Sequence, residues 1–305
     1  MNNRTLGLMS IFFVYTIWGA QPVYWKLFHE VPLDQILAHR IIWSSILLVG
    51  IIALKNQFNE LLEIFKSKKN MILITLSAFL IASNWFINIY AANSNQIIEA
   101  SLGHYITPIT IILIGVFIFK EQIKKYEMIA TLSAIIGVLF LTIYIGKIPL
   151  IALLLIFTFA TYTYLKKINK LNALLSLTVE IIILFPFALF YLFSLELQNK
   201  GVFFNANISL SLLIISTGFF TAIPLILYSY GVQRINLSKL GFIQYYGPTL
   251  SLFLGVFIYK ETFTKIHFLS FAFIWLAIII VVVSKTYINR LLKSSPKIQN
   301  APIKD

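Results

Sequence analysis

Residues 101–121, SLGHYITPITIILIGVFIFKE, and residues 241–261, GFIQYYGPTLSLFLGVFIYKE, decide the fold of this chain because they are two versions of one sequence. Aligned at an offset of 140 residues, they are identical at eight of 21 positions. Background composition would give about two identities. The same offset places Tyr24 on Tyr164 and Lys26 on Lys166 without a net insertion. The chain therefore contains two copies of one unit.

The composition is that of a membrane protein. Apolar residues make up 59% of the chain and charged residues 11%, with a mean hydropathy of +0.87. A soluble domain is about a quarter charged, so a soluble globular protein is excluded. The net charge of +13 lies in short segments between apolar runs, which predicts a role in membrane topology rather than nucleic-acid binding. Without cysteine, the chain has neither disulfides nor thiol chemistry.

Apolar segments long enough to cross a membrane run through almost the whole chain. A spanning helix needs about 20 apolar residues. The sequence therefore predicts an all-α polytopic membrane protein with ten transmembrane helices, while the longest connections, 55–70 and 195–207, are too short to hold a soluble domain. The predicted spans are 5–27, 35–54, 71–93, 98–119, 127–145, 148–167, 172–194, 208–231, 237–259 and 267–288.

The distribution of basic residues predicts the orientation. With the N-terminus in the cytoplasm, eighteen of the 24 Lys and Arg residues fall in cytoplasmic segments and four in outer ones. Both termini are therefore predicted to be cytoplasmic in a multi-pass plasma-membrane protein. Five helices per copy make the second copy inverted, and inverted repeats are typical of secondary transporters. The predicted organisation is a first five-helix repeat, 1–146, a second, inverted repeat, 147–288, and a basic cytoplasmic tail, 289–305.

Two charged residues lie well inside predicted spans, at equivalent positions of the two copies. Arg40 is in the second span, and Glu180, 140 residues later, is in the seventh. An ionisable side chain inside a bilayer is costly and is a candidate for function. The functional interpretation is substrate charge recognition, a proton site at Glu180, or a gate. The structural alternative is that neighbouring polar groups satisfy each charge.

Polar and aromatic residues next to prolines form a second candidate set. His104-Tyr105 precedes Pro108, and Gln244-Tyr245 precedes Pro248 at the equivalent place; a further polar-aromatic pair is Asn84-Trp85. Proline removes a helical hydrogen bond, so these spans are predicted to be broken, with the breaks lining a substrate pathway. The alternative is that the aromatic residues serve packing or anchor the helices at the membrane interface.

Short segments along nearly the whole chain resemble RarD-type proteins of the EamA family, in the drug/metabolite transporter superfamily. The resemblance implies two inverted five-helix repeats, a central cavity, and export or exchange of small organic molecules. Together with the residues above, it gives ten candidates for substrate binding or gating: His39, Arg40, Trp43, Asn84, Trp85, His104, Tyr105, Glu180, Gln244 and Tyr245. The segments that carry it are Ile17-Trp18-Gly19, Tyr24-Trp25-Lys26-Leu27, His39-Arg40, Trp43-Ser44, Asn84-Trp85, Glu99-Ala100-Ser101-Leu102-Gly103, Glu180, Gly241-Phe242, Gln244-Tyr245, Gly247-Pro248-Thr249 and Phe273-Ile274-Trp275.

The predicted function is a secondary transporter, or permease, that exports or exchanges a small organic metabolite or drug-like compound by alternating access. The chain is predicted not to be an enzyme and to need no cofactor or metal, since glycine-rich phosphate loops and metal-ligand clusters are missing from its sequence. An uncoupled facilitator or exchanger, or a polytopic membrane enzyme acting on lipid-linked substrates, are the alternatives. The expected partners are the organic substrate and the lipid bilayer, without nucleic acid. Proton coupling and a homodimer stay open.

Overall fold

A computed structural model describes residues 2–28, 31–94, 96–146, 150–259 and 264–294. These residues form helices joined by short turns, and ten helical segments in the described part of the chain are long and apolar enough to cross a membrane. The helices are α1 Asn3–Trp25, α2 Leu33–Leu54, α3 Phe58–Lys66, α4 Lys68–Asn93, α5 Ile97–Phe117, α6 Lys125–Ile145, α7 Leu150–Ile168, α8 Ala173–Leu197, α9 Ile208–Arg234, α10 Leu237–Gln244, α11 Tyr246–Phe253 and α12 Lys265–Ser294.

Each predicted span coincides with a helical segment, which confirms the all-α membrane fold. The ends agree within about three residues, except that α12 continues to Ser294. Residues 289–294, predicted to begin the tail, therefore extend the last helix. Residues 295–305 and the join at 147–149 lie outside the described residues.

Of the two spans predicted to be broken near Pro108 and Pro248, only the second is broken in the described structure, so the prediction for the first was wrong. The ninth span divides at Tyr245 into α10 and α11, followed by a π-helical turn, Leu254–Ile258. By contrast, α5 runs without interruption through Pro108. Each proline removes one backbone hydrogen bond. Near Pro248, Gly241 and Gly247 weaken the helix further on both sides of the break.

The connection predicted for residues 55–70 contains the short amphipathic helix α3. Its Leu61 and Ile64 are buried in a cluster with apolar side chains of α4 and α8. Its other apolar side chains, Phe58, Leu62 and Phe65, are exposed. Such a helix suits the boundary between lipid headgroups and acyl chains. A search for apolar runs of spanning length passes over it because it has nine residues.

The helices form two compact units, one of residues 1–119 with 149–261 and the other of 120–148 with 262–305. In the first unit, packing between the copies is reciprocal: α1 packs on α9 as α7 does on α4, and α1 packs on α11 as α7 does on α5. Exchange of the two copies thus reproduces these contacts. In the second unit, α6 packs along α12, where the Ser133 hydroxyl donates a hydrogen bond to the Phe273 carbonyl, 2.8 Å away.

Glycines allow helix backbones of the first unit to approach closely. A Cβ atom at Gly218 of α9 would lie 2.6 Å from the Trp43 carbonyl carbon of α2. A Cβ at Gly241 of α10 would lie 2.6 Å from the Pro108 carbonyl oxygen of α5. Lipid provides little hydrophobic drive for helix association, so close backbone contact of this kind is a main source of packing energy in membranes.

We expect Gly218→Ala to lower the unfolding temperature in detergent, because backbone atoms of Trp43 cannot rotate away from the new methyl group. Overpacking of this kind costs about 1–3 kcal/mol. Gly50→Ala is the matched control, since a Cβ at Gly50 meets no atom of the described residues within 4 Å. It should leave stability unchanged or raise it by up to about 1 kcal/mol. Equal melting temperatures for the two variants would contradict the close α2–α9 crossing.

Candidate functional site

A cavity of about 530 Å³ lies inside the first unit, among helices of both copies. Its lining reaches the end of α1 at Trp25 and the first residue of α2, Leu33. On α7 and α9 the lining stops near the middle of each helix, at Phe159 and Leu225. The cavity is therefore open at the end of the unit where α2 begins, and it ends at mid-depth.

Arg40 lies on the cavity wall between two tryptophans. Its Nε donates a hydrogen bond to Thr221 Oγ1, 3.0 Å away on α9. The guanidinium carbon lies 4.9 Å from the ring centroid of Trp25 and 4.7 Å from that of Trp85. A guanidinium over an indole face is stabilised by the ring quadrupole. The tryptophans thus fix the plane of the guanidinium and leave its charge facing the cavity.

A chain of hydrogen bonds along the cavity joins three helices. His104 Nε2 of α5 and Asn88 Oδ1 of α4 are 3.0 Å apart. Asn88 Nδ2 donates to the Asn84 carbonyl, and Asn84 Nδ2 donates to Thr158 Oγ1 of α7, 2.9 Å away. His104 is accessible from the cavity, whereas Asn84 is buried. The network positions the imidazole through partners that are themselves held in place.

The break between α10 and α11 brings a third polar group to the cavity. Gln244, the last residue of α10, lines it together with Tyr105 of α5. The Gln244 Oε1 atom is buried without a hydrogen-bond partner among the described residues. The neighbouring Tyr245 is fully buried and does not belong to the lining. His104 and Tyr105 of the first copy both line the cavity, whereas of the equivalent pair in the second copy only Gln244 does.

Of the ten residues proposed from the sequence, six line the cavity and four do not. The six are Arg40, Asn84, Trp85, His104, Tyr105 and Gln244. Tyr245 is one of the four residues outside the lining, and His39 and Trp43 are two others. The His39 and Trp43 rings pack against Phe203, with centroid distances of 5.3 and 5.4 Å. His39 and Trp43 are four residues apart and share a face of α2, and that face is turned about 60–100° from the direction of Arg40.

Buried aromatic residues close the inner end of the cavity. Tyr15, Trp18 and Phe159 form its floor, and Trp18 lies 5.4 Å from the Tyr228 ring, centroid to centroid. Below the floor, Tyr228 and Tyr162 are fully buried, with their rings stacked 6.2 Å apart. The Tyr228 hydroxyl is 2.6 Å from Thr163 Oγ1. A cluster of buried aromatic rings thus lies beneath the floor of the cavity.

Glu180, the tenth candidate, lies outside the cavity lining and is paired with Lys166 of α7. Lys166 Nζ is 2.5 Å from Glu180 Oε1, and both side chains are essentially inaccessible to solvent. Ser176 Oγ approaches the same carboxylate oxygen at 3.4 Å, and Tyr162 interacts with Glu180 electrostatically. Lys166 is therefore a buried member of α7 and not an exposed loop charge. Its side chain turns inward from the last turn of α7 because Glu180 offers the countercharge.

Polar contacts around this ion pair hold α7, α8 and α9 together. Asn169 Nδ2 donates to Ser176 Oγ at 2.9 Å, and Gln233 Nε2 donates to the Asn169 carbonyl at 2.9 Å. Lys167 Nζ donates to the Val232 carbonyl at 3.1 Å. The sequence offered one signal for this cluster: Lys166 is equivalent to Lys26 under the 140-residue offset, and so belongs to the repeated unit rather than to a variable loop.

Ten apolar helices, together with a partly polar cavity inside the first unit, are typical of integral membrane transporters. The family is given by comparison with known proteins: residues 5–143 and 146–283 each match the EamA-like transporter family, and the chain belongs to that family. It is similar to Protein RarD of Escherichia coli strain K12, at 36% identity over 93% of this chain and 96% of that protein. It is also similar to Protein RarD of Salmonella typhi, at 37% identity over 93% and 97% of the two chains.

Two further similarities agree with this family. The "Uncharacterized transporter YojE" of Bacillus subtilis strain 168 is 36% identical over 92% of this chain and 94% of that protein. A known crystal structure superposes with a TM-score of 0.71 over 92% of this chain and 98% of the other, at 14% identity. At that identity the superposition shows the fold alone.

We expect Lys166→Met and Glu180→Gln each to lower the free energy of unfolding by about 3–5 kcal/mol, because either change leaves a buried charge without its partner. The double variant should lose less than the sum of the two. Thermal unfolding in detergent would measure the stability of the two single variants and the double variant. Lys69→Met, at an exposed lysine of α4, is the control. Additive losses would contradict energetic coupling between the two side chains.

Proposed function

We propose that this protein is a secondary transporter that moves a small organic metabolite or drug-like compound across the plasma membrane by alternating access. The cavity supports this proposal most directly. Its volume is in the range of small-molecule sites, its walls are largely apolar and aromatic, and a few polar groups converge on it. In this proposal the two copies are inverted with respect to each other, since each supplies five membrane helices.

The end at which the cavity opens indicates which conformation of the transport cycle the structure represents. If both termini lie in the cytoplasm, as the basic residues predict, α2 begins on the outer side and the cavity opens outward. The aromatic floor and the Lys166–Glu180 pair then form the closed inner gate. In the opposite conformation the contacts among α7, α8 and α9 would open and the walls beside Arg40 would close. Export begins with substrate entering from that inward-open state.

Coupling of transport to a proton gradient distinguishes this proposal from an uncoupled facilitator or exchanger of the same fold. Purified protein in liposomes would be given labelled amino acids, amines, organic acids and amphenicols, with and without a pH gradient. We expect accumulation above equilibrium that requires the gradient. Equilibration that ignores the gradient would favour a facilitator or exchanger. Absence of protein-dependent flux for every compound would contradict the transporter proposal.

Site-directed labelling tests alternating access, and the chain is suited to it because it contains no cysteine. We expect Ser101→Cys, in the cavity lining, to react with a membrane-impermeant thiol reagent from outside, and Ser176→Cys, beside the ion pair, to react from inside. Addition of a transported solute should change the two rates in opposite directions. Ser209→Cys, at the exposed start of α9, is the control and should be unaffected. Rates that rise or fall together would contradict alternating access.

A further inference from the structure

We propose that the transported solute is an organic monocarboxylate with an aromatic or branched apolar body, and that Arg40 binds its carboxylate. This inference rests on the proposed function, because it assigns the substrate class of the same cavity. It is supported by the environment of Arg40 and by the charges that line the cavity.

Arg40 has no acidic partner in the described part of the chain. Its one hydrogen bond there is the bond from Nε to Thr221, and the charged pair of the first unit joins Lys166 to Glu180 instead. Arginine keeps its charge at physiological pH. Its remaining N–H groups are the fork that binds a carboxylate through two parallel hydrogen bonds. The Arg40 guanidinium therefore lacks a counter-anion among the described residues, and a solute can supply one.

The rest of the lining is consistent with a single negative charge on the solute. Among the described residues that line the cavity there is no carboxylate, and Arg40 is the one residue with a fixed positive charge. One fixed positive charge matches a monoanion better than a dianion such as a phosphate monoester. The same lining lacks a countercharge for an ammonium group, so amines and zwitterions bind less favourably than simple acids.

The aromatic residues that line the cavity specify the organic part of the solute. Trp25 and Trp85 flank the guanidinium, and Trp18 and Phe159 form the floor beneath it. A carboxylate on Arg40 would leave its organic substituent against these rings, where apolar contact and aromatic stacking stabilise it. Asn88 and His104, which are hydrogen-bonded to each other, add polar groups to the same lining. The cavity thus combines one anion site with an aromatic-lined space.

Binding to purified protein in detergent tests this assignment without requiring transport. The probes are 3-phenylpropionate and 3-phenylpropanamide, which differ in the carboxylate, together with phenethylamine, phenylalanine and phenyl phosphate. Calorimetry should show that 3-phenylpropionate binds about 10- to 100-fold more tightly than the amide, the range expected for hydrogen bonds to a charged group. Phenethylamine should not compete, and phenylalanine should be weaker than the acid.

Variants of Arg40 separate a specific contact from a general charge effect. Arg40→Gln should abolish the preference for the acid over the amide, and Arg40→Lys should restore it in part, because lysine keeps the charge without the fork. Lys26→Gln is the matched control: it removes a positive charge from an exposed position outside the cavity lining, and the preference should persist. Normal unfolding temperatures would show that the variants are folded.

Transport of the same probes distinguishes failure of this inference from failure of the proposed function. Arg40-dependent binding of the acid without flux in liposomes would contradict the transporter and leave the anion site standing. Flux in which the amide equals the acid, or which is unchanged in Arg40→Gln, would overturn the anion site and leave the transporter. Preference for phenyl phosphate, or absence of binding by any carboxylate probe, would also overturn the monocarboxylate assignment.

Discussion

Charge in a medium without water is the constraint on which the structure depends. A guanidinium, an ammonium or a carboxylate inside the bilayer must have a partner or reach water. The chain meets this requirement in two ways. Lys166 and Glu180 neutralise each other between α7 and α8. Arg40 lies between two indole rings and faces the cavity. In our proposal the first solution closes one end of the first unit, and the second lets a solute bind at the other end.

The difference between the two ends follows from a few substitutions within the repeat. Under the 140-residue offset, Lys26 and Arg40 are equivalent to Lys166 and Glu180. Two basic residues cannot form the ion pair that a lysine and a glutamate form, so the first copy has no equivalent of the closed contact. The tryptophans that flank Arg40, at positions 25 and 85, are leucines at 165 and 225 in the second copy. Reciprocal helix packing is thus retained while the chemistry at the two ends diverges.

The sequence predicted the helices and six of the residues that line the cavity, because these depend on local signals. Apolar length defines a span, and an ionisable residue within a span, such as Arg40, is conspicuous. Features that depend on tertiary contact were missed. Lys166 has the same local pattern as the loop residue Lys170, and only the approach of Glu180 turns its side chain inward. A break was expected near both Pro108 and Pro248 and occurs only in the second span, at Tyr245, since continuity of a helix depends on its neighbours as well as on proline.

The Lys166–Glu180 contact has a consequence for how this chain can change over evolutionary time. A substitution that removes either charge strands the other in an apolar interior, whereas loss of both leaves a neutral and packable interface. We therefore expect the two positions to be replaced together among related proteins, because either single replacement gives a less stable intermediate. A substitution at one of these residues, which are 14 positions apart in sequence, thus determines which residues are tolerated at the other.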